Sequence, residues 1–290
     1  MTQTADIRLG GRFTFPGTDI TVHRMGYGAM QLAGPGVFGP PKDEDAAIAV
    51  LKETRRIGID HIDTSDFYGP HITNQLIAKA LHPYPGTTLV TKVGAYRDDK
   101  ANWIHDLSAA HLRSSVEDNL RNLGLDRLDI VNLRIEGPAT DIVEPMKTMR
   151  QLQDEGLIRH IGVSTVTMSQ IRQAQDVAAI VCVQNHYNVA HREDDAMIEK
   201  LGEQGIAYVP YFPLGGFSPL QSEKLSDVAA ELKATPMQVA LAWLLRRAPN
   251  VLLIPGTSSV AHFHENVQAA TMELPAKSIA ELDSIGAQAL

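Results

Sequence analysis

Short apolar runs alternate with longer stretches whose apolar positions recur every three or four residues, almost to the end of the 290-residue chain. The runs are "RMGYGAMQL", "HIDTS", "TLVTKV", "LDIVNL", "HIGVS", "IVCVQN", "AYVPYF" and "VLLIPG". Each has strand length, whereas the stretches 43–57, 109–123, 141–155, 167–178, 193–204 and 221–233 carry helical periodicity. Strand, helix, strand, helix requires parallel pairing, and eight such units predict an α/β fold: a closed (β/α)8 TIM barrel forming one domain over residues 1–290.

The punctuation agrees. "IRLGGRFTFPGTDITVHRMG" holds two alternating runs around a Pro-Gly turn, which predicts an N-terminal β-hairpin closing the bottom of the barrel. Thr235 before Pro236 makes an N-cap and first-turn proline for "MQVALAWLLRRA". The tail "PAKSIAELDSIGAQAL" places Ile279, Leu282 and Ile285 at helical spacing, so extra C-terminal helices are expected.

Composition narrows the function classes. Lys and Arg are spread thinly in a chain of net charge −8, which argues against nucleic acid as a partner. The N-terminus lacks a basic start and apolar stretch, and no run is long enough to span a membrane, so a cytoplasmic chain with no membrane partner is expected, a monomer or weak homo-oligomer. Cys182 is the single cysteine and lies in an apolar run, as a small buried side chain does.

In a barrel the C-terminal ends of the strands converge on one mouth, and here they carry Asp63 with Tyr68, then Lys92, then Arg134. A cation about 4 Å from a phenol contributes roughly 4 kcal/mol, about three pK units, toward the phenolate at an effective dielectric near 20. Lys92 is therefore expected to bring Tyr68 toward neutrality, with Asp63 holding the lysine charged and oriented. Such a tyrosine can protonate a carbonyl oxygen as hydride reaches the carbon, and the hydride must come from a cofactor. Taken singly, Asp63 as a turn cap, Tyr68 as a rim aromatic and Lys92 as a snorkelling strand end remain open.

"GYGAMQLAG" has the wrong glycine spacing for a dinucleotide fingerprint. A better phosphate site is "IPGTSSVAHFHEN", where Thr257, Ser258 and Ser259 precede a helix with free N–H groups, although an ordinary helix cap fits the same residues. The histidines show no metal-ligand spacing, so no metal is expected. "GPGVFGPP" reads as a long βα loop lying over the substrate as a rigid lid.

The ordered set "HIDTSDFYG", "TLVTKVG", "LGLDRLDIVNL", "HIGVS", "VQNHYN", "YFPLGG" and "IPGTSSVAHFHEN" resembles the aldo-keto reductase family over nearly the whole chain. The resemblance implies reduction of a small-molecule aldehyde by NADPH, with NADH possible. "GYGAMQLAGPGVFGPP", "DTSDFYGPH", "NLRNLGLD" and "FPLGGFSPLQ" further resemble a bacterial branch that reduces pyridoxal. Carried over, it makes Tyr68 the general acid, Lys92 its partner and Asp63 the counter-ion. It assigns Ser164 and Gln184 to the nicotinamide carboxamide, Tyr211 to ring stacking with Phe212 and Leu214 beside it, Thr257, Ser258 and Ser259 to the phosphate, and Glu265 and Asn266 to the adenine.

The chain departs from the family pattern in three places. Arg134 stands where the family usually has a catalytic histidine; it can polarise a carbonyl but cannot act as an acid. Thr165 replaces an asparagine that commonly helps hold the carboxamide. Gly256 and His262 occupy positions where many members grip the 2′-phosphate with Lys and Arg. Two other classes stay open from the residues alone: a non-catalytic nucleotide-binding regulatory subunit, and a hydrolase pairing Asp63 with Glu136.

Overall fold

The computed structural model describes residues 9–215 and 222–286. Parts of the first hairpin run, of "FPLGGFSPLQ" and of the C-terminal tail lie outside them. The chain groups into two compact units, one of Met1–Gly26, Asn185–Pro255 and Ala261–Leu290, the other of Tyr27–Gln184 and Gly256–Val260.

The second unit is built on parallel strands: β3 (Tyr27–Gly28), β4 (His61–Asp63), β5 (Thr88–Val93), β8 (Leu128–Arg134), β9 (Ile158–Ser164) and β10 (Ile180–Gln184). They lie side by side in the order β3-β4-β5-β8-β9-β10. Between them run the helices Glu44–Ile57, Ile72–Leu81, Ala109–Leu123, Val143–Asp154 and Met168–Gln175. The first of these shows why such segments are helical. Asp43 caps it by accepting from the Ala46 N–H at 2.9 Å, and Glu44 and Asp45 occupy the first turn, Arg55 and Arg56 the last. Its buried stripe is Ala47, Val50, Leu51 and Thr54, and Gly58 ends it with φ of 94°.

The sheet is curled. A flat sheet would separate β4 from β10 by roughly 19 Å at the usual strand spacing, yet Gln184 at the end of β10 donates from Nε2 to Asp63 Oδ2 at the end of β4 across 2.9 Å. The six strands therefore wrap round a common interior. Gly162 keeps that interior open: a Cβ on it would meet Asn132 Oδ1 at 2.0 Å and Cys182 Sγ at 2.6 Å.

Two features differ from the periodicity. Only Tyr27–Gly28 of the first run is strand, since Ala29–Leu32 turns into a 3-10 helix. The stretch 95–105 forms an antiparallel hairpin, β6 (Ala95–Arg97) with β7 (Trp103–His105), that alternation did not announce.

In the first unit, β1 (Arg12–Thr14) and β2 (Thr21–His23) form the expected antiparallel hairpin. β11 (Ala207–Tyr208) bridges in parallel to Val251, and Leu253 bridges in parallel to Met25. The eighth run thus pairs on both sides, as isolated bridges rather than a full strand, because Pro255 follows at once and cannot donate. Arg24 staples this unit, donating to the carbonyls of Val251, Leu245 and Ala248. The helix Pro236–Arg247 starts on a Thr235–Gln238 capping box, and Ala276–Gly286 supplies the terminal helix. Among the described residues no helix is long and apolar enough to cross a membrane.

Gly162→Ala is expected to destabilise the protein by about 1–3 kcal/mol or more, because its neighbours are a buried amide, a buried thiol and backbone; urea unfolding checks this, and an unchanged midpoint would show that the interior can yield.

Candidate active site

Asp63 closes β4 opposite Val90, and Lys92 stands two residues further along β5, so both reach the same end of the sheet. Thr91 turns the other way, donating to Asn119 Oδ1 on the outer helix Ala109–Leu123 at 2.6 Å, and alternation then aims Lys92 inward. On the outer side Thr64 donates to Asn74 Oδ1 at 2.7 Å and Asn74 donates to Asn119 Oδ1 at 2.9 Å. This buried amide network fixes both strand ends from behind.

Inside, Lys92 Nζ donates to Asp63 Oδ1 at 2.5 Å and to the Thr64 carbonyl at 3.1 Å. The ammonium also lies 5.3 Å from the centre of the Tyr68 ring, close enough for its charge to act on the hydroxyl. Two N–H groups of the ammonium thus have acceptors, one of them a carboxylate, as a buried cation requires. Lys92 is 2% exposed; burial alone would lower its pKa, but Asp63 and Tyr68 together outweigh burial and raise it. The lysine stays charged.

Tyr68 corrects the expectation from sequence. Its pKa is raised, not brought toward neutrality, because burial is the largest influence and the Asp63 charge adds to it, against the lowering by Lys92 and Arg134. Tyr68 is therefore a neutral phenol beside a charged ammonium, with its O–H able to donate. Asp63 has Lys92 on one oxygen and Gln184 on the other, an arrangement suited to a counter-ion and not to a hydrolytic pair with Glu136.

Across the sheet, Arg134 pairs with Ser164 and Ser164 with Gln184, so these three stand abreast on β8, β9 and β10. Gln184 is fully buried and its Oε1 has no hydrogen-bond partner among the described residues, an acceptor that the N–H of a carboxamide could satisfy. Thr165, next to Ser164, adopts φ of 63°, a left-handed conformation that a β-branched residue rarely takes and asparagine tolerates. Cys182 donates to Asn132 Oδ1 at 3.1 Å, and burial pushes its thiol up to about 12, so it is no nucleophile.

In the loop 256–259 the Tyr27 hydroxyl donates to the Thr257 carbonyl at 2.7 Å, and Thr257 Oγ1 accepts from the Ser259 N–H at 3.1 Å. Ser258 is exposed ahead of the helix Val260–Gln268. Gly256 has a physical reason to lack a side chain: a Cβ there would meet the Gly28 carbonyl oxygen at 2.6 Å. The exposed Ser258 hydroxyl ahead of a helix start is a donor of the kind a phosphate takes, with no side chain at 256.

The other unit holds the remaining assigned positions. The Tyr211 ring stacks on His186, with centroids 5.6 Å apart and planes at 10°, and Phe212 meets Tyr211 edge-on at 5.3 Å. Leu214 is half-buried, His262 and Glu265 are exposed, and Asn266 is buried.

The loop 34–39 packs onto the Tyr68 side of its unit, where Val37 clusters with Phe67, Tyr68 and Ala95. Arg97 pins it by donating to the carbonyls of Val37, Gly36 and Ala101. Sequence reasoning missed Arg97, Asn74 and Asn119. The last was readable, since Asn119 shares a helical stripe with Leu112, Val116 and Leu123. Asp66, His71 and Asp118 also bring potential metal ligands within 4.8 Å of one another, but Asp118 pairs with Arg121 and Asp66 is engaged by Asn119, Ser115 and Ser65.

Residues 24–287 match the aldo/keto reductase family. The chain is 60% identical over 272 residues to pyridoxine 4-dehydrogenase of Escherichia coli (strain K12), covering 91% of this chain and 95% of that protein. Its fold superposes on a thermostable aldo-keto reductase solved with the inhibitor epalrestat, with TM-score 0.80 and 28% identity over 95% of this chain and 99% of that one. It also superposes on an aldo/keto reductase from Klebsiella pneumoniae solved with NADP and acetate, with TM-score 0.76 and 24% identity over 94% of each chain. These neighbours establish the (β/α)8 barrel class.

Burial raises the Asp66 carboxyl from 3.8 to about 7. The folded state holds this proton where an unfolded carboxyl has lost it, so ionisation removes stability as pH rises between those values. Wild type should lose about 1.4 kcal/mol per pH unit relative to Asp66→Asn across that window; denaturant titrations with parallel pH profiles would refute the assignment.

Proposed function

The chain belongs to the aldo/keto reductase family, and from that premise we propose that it is an NADPH-dependent reductase of a small aldehyde, pyridoxal to pyridoxine, with Tyr68 as general acid. The observation that carries the mechanism is the buried Lys92, paired with Asp63 at 2.5 Å and lying 5.3 Å from the centre of the Tyr68 ring. The substrate rests on the 60% identity to pyridoxine 4-dehydrogenase, and the cofactor on the family and on the relative solved with NADP.

When bound, the nicotinamide supplies the hydride, which no side chain can provide. The residues of this chain handle the proton. As negative charge grows on the carbonyl oxygen, the Tyr68 hydroxyl donates to it, and the nearby Lys92 ammonium stabilises the phenolate left behind. Asp63 keeps the ammonium in place during the transfer. Arg134 adds a permanent positive charge on the same side, whose influence reaches the Tyr68 oxygen.

For the cofactor, Gln184 Oε1 and Ser164 would receive the carboxamide, and the loop Gly256, Thr257, Ser258, Ser259 the adenosine phosphate. Tyr211, Phe212, Leu214, His262, Glu265 and Asn266 are assigned by the family resemblance alone. In this reading residues 1–290 act as one domain.

Tyr68→Phe is expected to lower turnover about 100-fold or more while leaving NADPH affinity within a few-fold, measured by nicotinamide absorbance with pyridoxal and by cofactor titration. Undiminished turnover would remove Tyr68 from the mechanism. For Arg134, Ala should reduce turnover about tenfold or more while His retains most of it; equal rates in all three proteins would make the position purely structural.

A further inference from the structure

The hairpin β6–β7 follows directly on the strand that bears Lys92 and pairs Ala95 with His105, Tyr96 with Ile104 and Arg97 with Trp103. Alternation puts Ala95, Arg97, Trp103 and His105 on one face, with Tyr96 and Ile104 on the other. The first face looks toward the catalytic tyrosine, because Ala95 packs in the cluster with Phe67 and Tyr68. Phe67 then links the two rings of interest. It meets Tyr68 edge-on at 5.3 Å and Trp103 edge-on at 5.7 Å, so a single ring separates the indole from the phenol.

Trp103 is 40% exposed, one of only two large apolar side chains so exposed among the described residues. Its other side is backed by the Arg97 guanidinium, 4.1 Å from the ring. Arg97 is itself immobilised by three backbone carbonyls. A rigid indole with a free surface, one ring away from the proton donor, is a stacking platform awaiting a flat partner. Two residues on along the same face, His105 Nδ1 is buried and has no hydrogen-bond partner among the described residues. Arg134 and Glu136 both lie close enough to act on its ring, and burial together with the Arg134 charge favours the neutral imidazole.

We propose that this hairpin face selects the substrate: Trp103 stacks on the ring of a planar aromatic aldehyde, and His105 hydrogen-bonds a hydroxyl carried by that ring. The inference rests on the reductase reading of the site and adds to it the residues that discriminate between aldehydes. Both are specificity residues, neither taking part in the proton transfer.

The test compares kcat/KM for 2-hydroxybenzaldehyde, benzaldehyde and butanal with NADPH, in the full chain and in Trp103→Ala, Trp103→Phe and His105→Leu. Trp103→Ala should lower kcat/KM for both aromatic aldehydes about tenfold, chiefly through KM, and leave butanal within about twofold. Trp103→Phe should restore most of the loss. His105→Leu should lower the preference for 2-hydroxybenzaldehyde over benzaldehyde by about tenfold while sparing butanal. Losses equal across the three aldehydes, or no loss in either truncation, overturn the proposal and leave the reductase reading standing. A wild type inactive on every aldehyde overturns both.

Discussion

A lysine can be held charged in a dry interior only if a carboxylate meets it there, and the pairing of Lys92 with Asp63 is the constraint around which this chain is organised. Removing either partner would leave a buried, uncompensated charge at a cost of about 3–5 kcal/mol. The surroundings reflect that cost. Gln184 occupies the second carboxylate oxygen, the Thr64 carbonyl takes another ammonium proton, and Asn74 and Asn119 lock the strands from the outer side. These contacts form a buried polar network in which, among the described residues, Gln184 Oε1 is left without a hydrogen-bond partner.

The same constraint explains the state of the tyrosine. Burial, which makes the pair strong, also disfavours a phenolate, and the two influences of Asp63 and Lys92 on Tyr68 oppose each other. A proton donor needs to hold its proton until the carbonyl oxygen becomes basic. In the proposed reaction, a neutral phenol backed by a fixed ammonium would meet that requirement better than a phenolate formed in advance.

Much of this was legible in the sequence, where physics is local. Helix bounds followed from caps and three-to-four spacing, as at Ala109–Leu123, and strand ends from Asp63 and Lys92 standing where apolar runs stop. The hairpin Ala95–His105 was not legible, because its strands are three residues long and its inner face mixes Arg97, Trp103 and His105, which carry no alternation of hydrophobicity. The tyrosine's pKa was misjudged for a related reason. Sequence names the charges near a group but not how far water is excluded from it, and here exclusion is the larger influence.

The backbone contact at Gly256 carries a consequence for how this enzyme could change. With the Gly28 carbonyl 2.6 Å from where a Cβ would stand, no side chain can be mounted at that point of the loop while strand β3 stays in place. A graft of the lysine that other members use would therefore strain the barrel rather than sharpen its taste in cofactors. If the phosphate lies where proposed, evolution or design seeking a firmer hold on it has to begin at the exposed position of Ser258, or first move the strand that blocks the way.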